Sequence, residues 1–243
     1  MFTVLEFYHH LTMDKKDYPQ DHPRTILPSL CRQFYANEWM TGSGGALSLR
    51  CQDKIFITPS GVQKELVQGD ELFVQSNDGI DIDVPSPEKK LSKSTCTPLI
   101  TAVYRIRTDT NAVYHIHNKS AVLVSLLWQG TEFRITHQKL LQVIKKGNSN
   151  KAYDYYDTMV VPIVENKSTE NEIEDSLVKA MIDYPETSAV IIRRHGMYVW
   201  GPNWQKTKCM AEAYDYLFDI AVKMRQCGLN PEDKPVSPEG AYT

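Results

Sequence analysis

Residues 114 to 120 read YHIHNKS and set His115 and His117 two positions apart behind an apolar run. Side chains two apart on a β-strand share a face, so both imidazoles can reach one ion. The same spacing also suits two solvated histidines at a strand end, and two imidazoles do not close a metal site. A third donor is offered by His195, where the apolar run of SAVIIRRHGMYVWG stops at Gly196, a residue able to turn sharply at a strand tip. Three neutral imidazoles would leave one coordination position for a substrate oxygen, as in a catalytic rather than a structural metal site. His9, His10 and His22 lie in a polar N-terminal stretch and His137 opens a later segment, outside this pattern.

A second group of residues suits an anion. TGSGG, residues 41 to 45, offers backbone N–H groups at Gly42, Gly44 and Gly45 with no side chain in the way, and TPSGVQKE, residues 58 to 65, adds a tight turn with Ser60 and Lys64. A glycine turn also serves simply to pass the chain from a helix to a strand. Cys96, just before TPLITAVYRIR, is open to two readings, a capping or core cysteine or a group facing substrate. Taken together, the histidines and the anion turns describe a metal-assisted enzyme acting on a phosphorylated small molecule.

These residues need elements to carry them. LPSLCRQFYANEW has helical spacing and is stopped by the glycine turn; ALSLR and KIFIT alternate as a hairpin, and ELFVQSNDG reads as a third strand. NDGIDIDVPSPEKKLSKS, with two prolines and a lysine cluster, reads as a surface loop. A helix opened by Thr97 and Pro98 follows, then the strand NAVYHIH, the helix KSAVLVSLLW and a helix near His137 to Ile144. TMVVPIV is a strand and ENEIEDSLVKAMIDY an acidic-led helix. SAVIIRRHGMYVWG gives two strands broken at His195 and Gly196, and a long amphipathic helix runs to Gly228.

Composition removes several classes of function. The 243 residues suit one large domain with a substantial core. A formal net charge of -3 with interspersed lysines and arginines predicts no nucleic-acid or anionic-membrane partner. The longest apolar run, AVLVSLLW, is far short of the roughly 20 residues that span a bilayer, and the N-terminal stretch has no basic region or cleavage site of a signal peptide. Five scattered cysteines without a C-x-x-C pair point to the cytoplasm.

A series of stretches from Asp21 to Leu229 carries a resemblance: LPSLCRQFY, TGSGGALSL, TPSGVQKE, KKLSKSTCTPL, AVYHIHNKSAV, FRITHQ, VVPIVEN, RRHGMYVWG and CMAEAYDYLFDIAVKM. In this order they resemble the methylthioribulose-1-phosphate dehydratases of the class II aldolase and adducin superfamily. The resemblance implies an α/β fold, a three-layer α/β/α domain with a largely antiparallel central sheet over residues 21–229, between a polar leader (1–20) and a C-terminal tail (230–243). It also implies a homotetramer, one Zn2+ per subunit held by His115, His117 and His195, and a place in methionine salvage. The implied reaction removes water from 5-methylthioribulose 1-phosphate: the C3 proton leaves, a Lewis acid steadies the charge on the carbonyl oxygen, and the C4 hydroxyl departs after protonation. Gly42, Gly44, Gly45, Ser60 and Lys64 would bind the phosphate, and Cys96 would contact substrate where the superfamily's aldolases carry a glutamate.

The resemblance breaks at Lys139, in THQKLLQVIKK, where the family pattern has the glutamate that serves as acid and base. Ser43, Ala46, Ile116 and Asn118 are milder departures. Three functions therefore follow: a dehydratase with Lys139 or another group as acid, a zinc-retaining relative of low activity with a binding or cell-death regulatory role, and another sugar-phosphate aldolase or epimerase. Cys96 speaks against the last.

Overall fold

The structure, a computed structural model, describes residues 18–147, 149 and 151–236. The expected leader up to residue 17 and the tail beyond residue 236 lie outside the described residues.

Helix α1 (Pro23–Ala36) begins a turn earlier than the apolar spacing predicts, because the His22 ring accepts the Arg24 N–H at 3.1 Å and Pro23 occupies the first turn, where no donor is needed. The glycine turn then leads into β1 (Ala46–Cys51), which pairs with β2 (Lys54–Ile57), itself paired with β3 (Phe73–Ser76). α2 (Thr97–Ile106) starts with Pro98 in its first turn and passes to β5 (Ala112–Ile116), and α3 (Lys119–Leu127) follows directly. β7 (Thr158–Val164), α4 (Glu174–Asp183), β8 (Ala189–Ile192), β9 (Gly196–Gly201) and α5 (Trp204–Gln226) complete the expected elements.

Three readings of the sequence are corrected. Residues within the expected loop form β4 (Asp81–Asp83), which pairs with β3 at the sheet edge although its side chains are exposed. FRIT belongs to a strand not foreseen, β6 (Glu132–Thr136). The expected helix near His137 to Ile144 is a short 3-10 helix of five residues, Lys139–Val143; His137 at φ 53 breaks the backbone path before it.

The nine strands form one sheet in the order β4-β3-β2-β1-β5-β9-β8-β7-β6. Every neighbouring pair is antiparallel except β7 with β8. Strand alternation sends residues to two separate cores. Leu47, Tyr114, Ile116, Ile191 and Val199 pack with Leu30 and Phe34 of α1, Val124 of α3 and Phe218 of α5. Val113, Val190, Tyr198 and Trp200 pack on the other face with Leu99 and Val103 of α2 and Leu177 of α4. Helices cover both faces, which makes the three layers; each fully buried large aliphatic or aromatic side chain contributes about 1.5–3 kcal/mol to holding them together. Among the described residues no helix is long and apolar enough to cross a membrane.

Candidate metal centre

β5 ends where β9 begins, and that end of the sheet gathers the three histidines. His115 leaves β5 on the same face as Val113, 1% exposed, opposite Tyr198 in the antiparallel register. His117 lies one residue past the strand and is fixed by its N–H to the Trp39 carbonyl at 2.8 Å. His195 sits in the turn between β8 and β9. That turn is pinned by Arg193, whose guanidinium donates to the Trp128 carbonyl at 3.0 Å and the Gly130 carbonyl at 2.7 Å, and pairs with Glu165. Gly196 permits the junction: a Cβ there would stand 2.1 Å from the Ile116 carbonyl oxygen, so any side chain would wedge β9 away from β5.

The three Nε2 atoms stand 3.0 Å (His115 to His117), 3.1 Å (His117 to His195) and 3.3 Å (His115 to His195) apart. His115 Nδ1 faces the Met197 carbonyl at 3.2 Å, a pure acceptor, so its proton sits on Nδ1; His195 Nδ1 lies 3.2 Å from Asn166 Oδ1. That tautomer turns the Nε2 lone pair of His115 toward the other two rings. Burial holds His115 well below the ordinary imidazole range, reinforced by the neighbouring rings, and burial together with His195 and Lys64 lowers His117 to about 4. The three Nε2 atoms converge on one point. A tetrahedral ion with metal–nitrogen bonds of about 2.0–2.1 Å sets its nitrogens about 3.3 Å apart, so the donor set fits a metal.

A pocket of about 240 Å³ opens on the triad and is walled by Ser43, Gly44, Gly45, Ser60, Gly61, Lys64, Ser94, Thr95, Cys96 and Glu170. The turn expected to face an anion thus meets the imidazoles in one cavity. Gly44 lies against His117: a Cβ there would fall 2.5 Å from its Nδ1. Lys64 is 1% exposed, and its ammonium donates to the Ser43 carbonyl at 2.8 Å and the Val62 carbonyl at 3.3 Å; burial lowers its pKa. Cys96 precedes α2 with its thiol buried and pushed up to about 11, by burial first and the nearby Glu170 second, so it is a thiol at neutral pH.

Two of the expected site residues are not in this cavity. Gly42 belongs to the turn but does not line the pocket. Lys139 is exposed, hydrogen-bonded to Gln142, and absent from the lining. Topology explains this: β7 and β8 run parallel and finish at the triad's end of the sheet, and β6 runs antiparallel to β7, so the chain after Thr136 leaves from the opposite end. Glu132, near Lys139 in sequence, is engaged with Arg134 and accepts the Tyr184 hydroxyl at 2.6 Å.

The sequence profile of the class II aldolase and adducin N-terminal domain matches residues 26–222. The chain belongs to the class II aldolase and adducin family. Within this family it is 53% identical over 219 residues to the methylthioribulose-1-phosphate dehydratase of Aquarana catesbeiana, covering 90% of this chain and 91% of the relative. With the Homo sapiens protein of the same name it shares 50% over 221 residues, 91% of each. Among solved structures, an L-fuculose 1-phosphate aldolase superposes with a TM-score of 0.69 at 18% identity, covering 87% of this chain and 90% of that one. The L-fuculose-1-phosphate aldolase of Thermus thermophilus superposes at 0.64 with 20% identity, covering 84% and 98%. At such identities the structural likeness speaks for the class II aldolase fold alone.

Reading the sequence missed Glu170, Tyr198, Ser94 and Thr95. Ser94 and Thr95 immediately precede Cys96 and follow from it by adjacency. Glu170 was hidden among the acids leading α4, and nothing local separates it from Glu172 or Glu174.

Proposed function

We propose that the chain is a zinc-dependent dehydratase that converts 5-methylthioribulose 1-phosphate to 5-methylthio-2,3-dioxopentyl phosphate. One observation carries the reading: three converging imidazole nitrogens and a buried lysine beside a glycine turn share one cavity, in a chain half identical to proteins named for this activity. His115, His117 and His195 would hold the ion, and zinc suits a set of three imidazoles. Bound there, zinc supplies Lewis-acid polarisation of a carbonyl oxygen.

The chain's own residues would orient the substrate. Two of the three Lys64 donors are spent on the Ser43 and Val62 carbonyls, which aim the ammonium and leave its third N–H for a phosphate oxygen. The Gly44 N–H is donated to the Thr41 carbonyl at 3.2 Å, so the backbone N–H groups of Ser43 and Gly45 and the Ser60 hydroxyl would complete the phosphate's partners. The distance from that turn to the triad then sets which carbons meet the metal. Cys96, protonated, would contact the sugar chain and not attack it, since a thiol is a poor nucleophile. A thiol here, with sequence relatives near 50% identity against structural relatives near 18%, favours dehydration over the aldolase or epimerase reading.

The same proposal sets the enzyme in methionine salvage, in the cytoplasm, as a homotetramer with one zinc per subunit. In such an assembly residue 139, leaving the far end of the sheet, could serve only the site of another copy. Lys139 favours a second reading, a zinc-retaining relative of low activity with a binding role. Zinc-loaded protein given 5-methylthioribulose 1-phosphate should form the diketone phosphate, and His195→Ala should not. Stoichiometric zinc with no turnover would exchange the first reading for the second.

A further inference from the structure

Imidazole ligands bring no charge to a divalent cation, and Lys64 adds a positive charge to the same cavity. Among the described residues lining it, Glu170 is the only carboxylate, and Cys96 remains a thiol. Glu170 Oε1 stands 3.7 Å from His195 Nε2 and 4.0 Å from His115 Nε2. Its other oxygen, Oε2, accepts the Tyr198 hydroxyl at 3.0 Å. Tyr198 is fully buried and stacks on the His115 ring at 4.3 Å between centroids and 13° between planes. The carboxylate is therefore tied to the strand pair that carries the triad.

Glu170 has no local duty that would explain this placement. It opens a 3-10 turn, Glu170–Ile173, whose entry is capped by Glu172: the Thr169 N–H and hydroxyl both donate to Glu172 Oε2 at 2.9 Å. Glu170 turns the other way, into the cavity. A wider cleft of about 840 Å³ borders the first and shares Ser94, Thr95, Glu170 and His195 with it, so this carboxylate stands where the two spaces meet.

We propose that Glu170 is the fourth protein group of the metal centre: its carboxylate, oriented by Tyr198, ligates the bound divalent cation while substrate is absent. This rests on reading the triad as a metal site. Donors of a tetrahedral ion lie about 3.3 Å apart, so Oε1 needs to move by roughly 0.4 to 0.7 Å relative to two of the imidazoles, within the rotation of a glutamate side chain. The carboxylate supplies the only formal negative charge in the cavity, and substrate oxygens would replace it.

The test uses the full, substrate-free chain, with zinc affinity measured by competition against a chromophoric chelator and the visible spectrum of bound Co2+ as a second readout. Glu170→Gln should weaken zinc about 10-fold or more and alter the Co2+ spectrum, and Glu170→Ala should do the same. Tyr198→Phe should weaken zinc less, with no added effect when combined with Glu170→Gln. His195→Ala separates the two levels of the argument. If it binds zinc like the wild type, the triad reading fails; if it loses zinc while both Glu170 variants keep wild-type affinity and spectrum, the Glu170 proposal alone is overturned.

Discussion

Replacing Gly44 by Ala should remove His117 from the metal centre without unfolding the chain. The added Cβ would stand 2.5 Å from His117 Nδ1 and 2.8 Å from Cε1, whereas carbon makes ordinary contact at about 3.5 Å. The ring therefore has to retreat by about 1 Å. Metal sites tolerate about ±0.2 Å in ligand distance, so the retreat is several times what the bond can absorb. Gly44 is not among the residues at positive φ, so alanine meets no backbone strain and the whole effect passes through the imidazole. Zinc affinity should fall about 100-fold, or roughly 2.7 kcal/mol, as far as His117→Ala lowers it. The melting temperature of the metal-free protein should move by only a few degrees. Gly42→Ala should show the opposite pattern: φ there is 65 and nothing lies within 4 Å of a Cβ, so backbone strain of about 1–2 kcal/mol should lower stability and leave zinc untouched. Chelator competition and calorimetry on the three variants decide the matter. A Gly44→Ala protein that binds zinc like the wild type, beside a His117→Ala protein that does not, would refute the packing argument.

The metal-free protein should lose stability in mild acid. His117 is depressed to about 4 and His115 falls well below its ordinary value, so below about pH 6.5 the unfolded chain binds protons that the folded chain refuses; stability is full above that pH and declines as pH falls toward 4. Urea midpoints between pH 7 and 4.5 measure this, and a flat profile would count against the neutral, buried triad. Lys64→Ala should weaken inorganic phosphate binding by about 10-fold or more while zinc affinity does not fall, since the ammonium binds the anion and only opposes the cation; unchanged phosphate affinity by calorimetry would move the anion site elsewhere. Lys139→Glu should raise dehydratase turnover only in associated chains, because the chain after β6 leaves the far end of the sheet. A gain that persists on dilution to monomers would show that residue 139 reaches its own site after all.

Features that depend on short stretches were legible in the sequence. Two-residue periodicity put His115 and His117 on one side, the His195–Gly196 break marked a strand tip, and the Thr97–Pro98 start and the glycine turn were written in local backbone preference. Those signals need only φ, ψ and neighbouring side chains. The meeting of His195 with His115, 80 positions apart, depends on the pairing of β5 with β9, and spacing alone left it open until the family resemblance supported it. Glu170 is a stronger case, because its partner Tyr198 lies 28 residues on, and only the packing of the turn before α4 against β9 distinguishes it from the acids beside it. Lys139 shows the same limit in reverse. Its sequence position suggests chemistry, yet the direction of one edge strand carries it away from the cavity, and strand direction is settled by which neighbours bury which faces across the whole sheet.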